Sequence, residues 1–306
     1  MRYLVKPAFV MFISWLGLAI HSHGSITTPG FCAADTGRVV KSGNCVSGNT
    51  FFQKGEIKKE ICSINESEIS NRKTVKKAVL KGEISGISTF YLEIPDGSSY
   101  VYKPGKRSVS VFLVTHGKGL INQGNRQFEV DNVNLFVPSV LKKASIKAGN
   151  GSLGILEITI MLNEKEFDSV RLQTGKLPYF VDYTKCTEYK ESIKSPKTIS
   201  RTILPENIIP RFCLGSVETT GPDTVGAHAH PMLEQLFFGL AHNDCIVKAD
   251  EAATTFKENT LLHIPLGSTH GVTVEEGKVL YYIWMDLFRS QEDMSYIREN
   301  HITKEK

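Results

Sequence analysis

Several familiar chemical signatures are missing from this chain. None of its six cysteines stands in a Cys-x-x-Cys pair, so a zinc knuckle has no framework. No Gly-rich phosphate loop, nucleophile elbow or paired-carboxylate pattern occurs, so nothing in the sequence announces phosphate cradling or acyl transfer. Charge is nearly balanced: 36 Lys and Arg against 32 Asp and Glu, a net charge of +4. No strongly basic domain stands out, which argues against a nucleic-acid partner. The one long apolar run, Ala8 to Ile20, is too short to cross a bilayer comfortably.

What is there begins with that run. Arg2 and Lys6 precede it and the small residues of Ser22-His23-Gly24 follow, so residues 1–24 read as a secretory signal peptide cleaved after Gly24. The mature protein is then expected to be secreted or periplasmic, with no stable membrane span. His21 and His23 leave with the signal. Export permits disulfides among an even number of cysteines. Cys32 with Cys45 is the most local pair, and the alternative is that several cysteines are buried thiols. Asn65-Glu-Ser and Asn150-Gly-Ser fit the glycosylation acceptor pattern.

The full chain, at 41% hydrophobic residues, has the composition of a globular protein with sizeable cores, and its 306 residues suit about two domains. Residues 25–82 are polar and irregular, an N-terminal extension. Within them Ser63-Ile-Asn-Glu66 reads as a helix start, and Val75, Ala78 and Val79 as the apolar stripe of a helix ending before Gly82. Residues 83–165 turn to strands: Thr89-Phe-Tyr-Leu-Glu-Ile and Ser108-Val-Ser-Val-Phe-Leu-Val are β-branched and aromatic, with turn signals at Pro95-Asp-Gly and Pro104-Gly between them. Residues 166–199 are polar and mixed, a linker with room for a short helix. Residues 200–288 resume the strand rhythm, and residues 289–306 form a charged tail. In Val279-Leu-Tyr-Tyr-Ile-Trp-Met, Tyr282, Trp284 and Asp286 share one strand face and Tyr281, Ile283 and Met285 the other.

The chemistry concentrates between Gly221 and His270. Gly-Ala-His228-Ala-His230-Pro-Met-Leu-Glu234 is followed by Pro265-Leu-Gly267-Ser-Thr-His270. On a strand, His228 and His230 point the same way. Three imidazoles and a carboxylate suit a divalent first-row ion: iron, manganese, nickel or zinc. His242 and His263 lie near in sequence and are read as ordinary hydrogen-bonded residues.

His-x-His-x3-Glu followed by Pro-x-Gly-x-x-His resembles the paired motifs of the cupin superfamily. The resemblance implies an all-β protein, two cupin-type, jelly-roll-like β-barrels in tandem with a few short helices. It implies metal ligation by His228, His230, Glu234 and His270. Two departures stand out: Ala241 takes the place of an expected glycine, with Gly239 two earlier, and Val274 replaces a common asparagine. Laid on the second half, the first half puts Ser110 where Glu234 falls, Pro104 and Lys106 near the two histidines, Pro138 at Pro265 and Lys143 at His270. The first barrel is therefore expected to be degenerate, with His116 a surface residue.

The function expected is that of an exported metal-dependent enzyme, an isomerase, epimerase or lyase acting on a small oxygen-rich substrate such as a sugar acid or other carboxylate. The alternatives are an iron-dependent dioxygenase and a secreted binding protein without turnover. Glu234 is the candidate catalytic base, since a carboxylate ligand can loosen. The expected partner is a small molecule, and the protein is expected to be a monomer or a homo-oligomer.

Overall fold

The computed structural model describes residues 56–69, 72–173 and 175–300. The proposed signal peptide, the Cys32–Cys45 pair and the last six residues lie outside the described residues. After β1 (Lys59–Ile61) and the single turn α1 (Glu66–Ile69), the chain enters a first barrel. Its strands are β2 (Val75–Val79), β3 (Ile87–Ile94), β4 (Ser99–Tyr102), β5 (Ser108–His116), β6 (Lys118–Gln123), β7 (Arg126–Asp131), β8 (Asn134–Val137), β9 (Ala144–Ala148), β10 (Leu153–Met161) and, after helix α2 (Glu164–Leu172), β11 (Tyr179–Asp182). They form a six-stranded sheet, β11-β8-β5-β10-β3-β2, facing a four-stranded one, β4-β9-β6-β7.

The second barrel takes β12 (Glu188–Tyr189), β13 (Ile199–Ile209), β14 (Phe212–Thr220), β15 (Asp223–Ala229), β16 (Leu233–Gly239), β17 (Asp244–Ala249), β18 (Ala252–Lys257), β19 (Thr260–Ile264), β20 (Thr269–Val274) and β21 (Val279–Phe288), with α3 (Gln291–Asn300) after it. Its sheets run β1-β19-β16-β21-β14-β13-β12 and β15-β20-β17-β18. Antiparallel pairing throughout lets each sheet bury either face, and strand alternation decides which residue goes where.

That alternation sorts most of the apolar side chains into three large cores, with a small fourth around Cys213, Leu233, Phe288 and Met294. On β5, Phe112 and Val114 fill the first barrel, whereas Val109, Val111 and Leu113 point out of it. On β16, Phe237 faces into the second barrel, whereas Leu236 and Phe238 face out. On β21, Tyr282 faces in and Ile283, Met285 and Leu287 face out. The outward residues of both large sheets share one core, so the two barrels pack back to back through it. At about 1.5–3 kcal/mol for each fully buried large aliphatic or aromatic side chain, this shared layer is a major part of the hydrophobic stabilisation.

Two expectations are revised. The helix placed over residues 66–82 is a single turn followed by strand β2. Asn65 N–H donates to the Glu68 carboxylate at 2.8 Å and caps α1, but Val75 to Val79 pairs with β3, Ala78 opposite Phe90. Val75 and Val79 repeat every two as well as every four residues, and the sheet edge offered backbone partners that an isolated helix does not. The second revision concerns the extension and the linker, which are not spacers. β1 joins the second barrel against β19, β11 joins the first against β8, and β12 joins the second against β13. The short helix for which the linker had room is α2, and its start is closed by a capping box at Asn163 and Glu166. Glu166 also receives Arg211 Nη2 at 3.1 Å and Nε at 2.5 Å, which ties the exit of the first barrel to the β13–β14 turn. Burial alone would raise the Glu166 pKa, but Arg211 holds the carboxyl below its ordinary value.

Candidate metal centre

The four-stranded sheet of the second barrel places the histidines. His228 on β15 lies directly opposite His270 on β20. A register shift between Val225 and His228 marks a bulge, the device by which a strand re-aims a side chain. Gly271 permits the close approach there, since a Cβ at that position would press on Ala227. His230 follows one residue after β15 ends. The rings of His228 and His270 are 4.4 Å apart between centroids, those of His228 and His230 4.8 Å, and those of His230 and His270 5.6 Å. One nitrogen from each of the three lies within 4.8 Å of the others.

The ring orientations are prepared. The Nδ1 of His228 stands 2.8 Å from the carbonyl oxygen of Gly226, and the Nδ1 of His270 stands 3.2 Å from that of Ser268. Nδ1–H donates in each, so the lone pair of both rings is on Nε2. This is how a ligating histidine is held in the correct tautomer. Burial, reinforced by the neighbouring His228, lowers the pKa of His270 to about 4. Its ring is therefore neutral at neutral pH, the form that binds a metal.

The triad opens onto a cavity of ≈ 640 Å³ inside the second barrel. Phe237, Tyr282 and Trp284 supply its apolar wall. Its polar lining includes Gln235, Asp286, Glu206 and the Glu191–Lys194 pair. Gln235 donates from Nε2 to Asp286 Oδ1 at 2.8 Å. Burial pushes the Asp286 carboxyl up to about 7 against that hydrogen bond. Lys194 is ion-paired with Glu191 and donates to Ser200 Oγ at 3.0 Å; burial lowers its pKa although Glu191 opposes the shift. Glu191 and Lys194 come from the segment between β12 and β13. That segment is pinned over the barrel mouth by Gly226 N–H donating to the Ile193 carbonyl at 2.7 Å.

No protein-family model matches the chain, and no curated protein matches it either. Solved structures do. The cupin 2 conserved barrel domain protein from Leptotrichia buccalis superposes with a TM-score of 0.51 at 14% identity, over 75% of this chain and 98% of that one. A putative glyoxylate-induced protein from Pseudomonas aeruginosa gives 0.57 at 8%, over 70% and 80%. Lactobacillus farciminis oxalate decarboxylase, in its formate complex, gives 0.52 at 10%, over 78% and 85%. The fold is that of a bicupin. At these identities the likeness is one of fold, and the chemistry of the site rests on this chain's own residues.

Of the four ligands read from the motif, the structure brings together His228, His230 and His270 and leaves Glu234 apart. Glu234 lies on the outward face of β16 with Leu236 and Phe238. Its Oε2 is 2.9 Å from His263 Nε2, and Glu83 Oε1 is 2.9 Å from the same ring's Nδ1. Glu234 is thus a member of a Glu83–His263–Glu234 bridge between the entry to β3 and the second barrel. The inward neighbour, Gln235, is the one that faces the cavity. His242 sits at a left-handed turn position, φ +68°, and is not part of the cavity wall.

The first barrel repeats the pattern without histidines. Ser110 faces inward with Phe112, so it corresponds to Gln235 and not to Glu234. The Ser110 Oγ to Thr159 Oγ1 contact of 2.9 Å between β5 and β10 parallels the Gln235–Asp286 contact between β16 and β21. Glu157, buried inside this barrel, takes the Lys76 ammonium at 2.6 Å beneath Tyr100. An internal ion pair and aromatic packing therefore fill the space. Among the described residues, the triad is the one group of three His, Cys, Asp or Glu side chains with metal-site spacing. His116 is half-exposed, 3.1 Å from Glu93. Gln235, Asp286, Glu191 and Lys194 escaped sequence reasoning; the nearest signal was the shared face of Tyr282, Trp284 and Asp286. Four cysteines, 62, 186, 213 and 245, are free thiols, and burial raises the pKa of each.

Proposed function

We propose that this bicupin is a metal-dependent enzyme whose single site is the cavity of the second barrel. The reading is carried by three clustered imidazoles, two of them oriented by backbone carbonyls, sharing a cavity with a buried ion pair. His228, His230 and His270 would hold the ion; a divalent ion with an open position supplies Lewis-acid activation of a bound oxygen. The chain's own groups would do the rest. Phe237, Tyr282 and Trp284 exclude water and pack the carbon skeleton of a small substrate. Lys194 presents a buried ammonium that orients a carboxylate or other oxygen. Glu191, its partner, offers an acceptor for a proton moved during enolisation. This arrangement suits isomerisation, epimerisation or β-elimination of a sugar acid or similar carboxylate. The apolar run of residues 8–20 supports an exported enzyme.

The test is elemental analysis of the natively purified protein, with His270→Ala as control, followed by assays on hydroxy-acid substrates. About one equivalent of manganese, nickel or zinc, lost in the control, supports the reading. Iron with substrate-dependent oxygen uptake redirects it to dioxygenase chemistry. A metal-free protein that still binds a small ligand makes it a binding protein.

A further inference from the structure

The triad supplies three protein ligands, and Glu234 is committed to His263. We infer that Gln235, through its amide oxygen, is the fourth protein ligand. The inference rests on the metal reading above and identifies a residue that the motif passes over.

Three observations converge on it. Gln235 is only 6% exposed, and its Oε1 is buried with no hydrogen-bond partner. An orphaned carbonyl oxygen in a polar cavity calls for a partner that is absent from the protein itself. The amide is also oriented: Nε2 donates to Asp286, which leaves Oε1 as the end turned to other company. Finally, the position is right. Gln235 shares the inward face of β16 with Phe237, whose ring is 5.9 Å from that of His270, and both line the cavity with the three histidines. An amide carbonyl is an established oxygen donor to hard and borderline divalent ions.

The chemical consequence is charge. Three neutral imidazoles and a neutral amide cancel none of the ion's two positive charges, whereas a carboxylate would cancel one. The site then favours an anionic oxygen in its open position, a carboxylate or an enolate, over a neutral hydroxyl. Asp286 acts as a positioning residue, since it holds the amide.

Metal-stripped full-length protein titrated with Mn²⁺ and with Co²⁺ by calorimetry tests this, with the visible Co²⁺ spectrum as second readout. Gln235→Ala is expected to weaken binding at least tenfold, Gln235→Glu to retain or tighten it with a shifted Co²⁺ spectrum, and Glu234→Gln to bind as wild type with an unchanged spectrum. Gln235→Ala binding like wild type overturns the inference, as does Glu234→Gln losing metal. If wild type and His270→Ala bind equally, or neither binds, the metal reading itself fails and takes this inference with it. A melting curve of each metal-free variant separates ligand loss from unfolding; should Gln235→Ala not fold, the Gln235→Glu spectrum decides, an unshifted spectrum being a refutation.

Discussion

Glu234 is where the geometry makes its sharpest claim. Replacing it with Gln should cost stability and leave metal binding and turnover intact. His263 is 7% exposed, with a carboxylate oxygen 2.9 Å from each ring nitrogen. Two carboxylate acceptors ask both ring nitrogens to donate. Removing one carboxylate charge forfeits a charge-assisted hydrogen bond, ordinarily worth about 1.5–3 kcal/mol. The Glu234 side chain is 28% exposed, so water recovers part of this, leaving roughly 1–2 kcal/mol. For a folded unit of this size each kcal/mol moves Tm by roughly 2–4 °C, so Glu234→Gln should melt roughly 2–8 °C below wild type. His263→Leu should cost more, about 3 kcal/mol, because it strands two carboxylates against an apolar side chain. The assay is scanning calorimetry with and without added metal. An unchanged Tm, or loss of the metal-induced rise in Tm, would refute the placement of Glu234 outside the cavity.

Further outcomes follow from the same contacts. Metal at about 100 times its Kd should stabilise the protein by about 2.7 kcal/mol, and His270→Ala should abolish that rise in a thermal melt. Arg211→Met should destabilise by roughly 2 kcal/mol, measured by urea unfolding, since it strips Glu166 of its partner. The pH dependence has a definite sign. Glu166 is held below its ordinary pKa, so its contribution is present above the unfolded carboxylate value and fades as pH falls through the lower folded one; Arg211→Met should flatten that acid limb. Gly215→Ala places a methyl group against the Arg201 carbonyl and the Trp284 ring, and should cost about 1–3 kcal/mol while disturbing the cavity wall, read as a change in Trp fluorescence.

Much of this was legible in the chain itself. Period-two runs in residues 83–165 and 200–288 marked the strands, and the spacing of His228, His230 and His270 marked the triad, although His230 stands just beyond the end of β15. The helix over 66–82 was misread because Val75, Ala78 and Val79 stand at helical i, i+3, i+4 spacing, and only the pairing of Val75–Val79 with β3 makes the stretch a strand.

Counting failed where the chain changes sheet. Pro231 and Met232 carry it from β15 to β16, and a turn resets which parity points inward; hence Glu234 and Gln235, adjacent in sequence, ended on opposite faces. Likewise, nothing local tells that Glu191 and Lys194 from the connecting segment close over a barrel built mostly from later strands. Residue types and their periodicity determined that there would be two β-barrels and three converging histidines. Packing the two large sheets against each other decided which side of each strand is the inside, and with it which side chains can reach an ion.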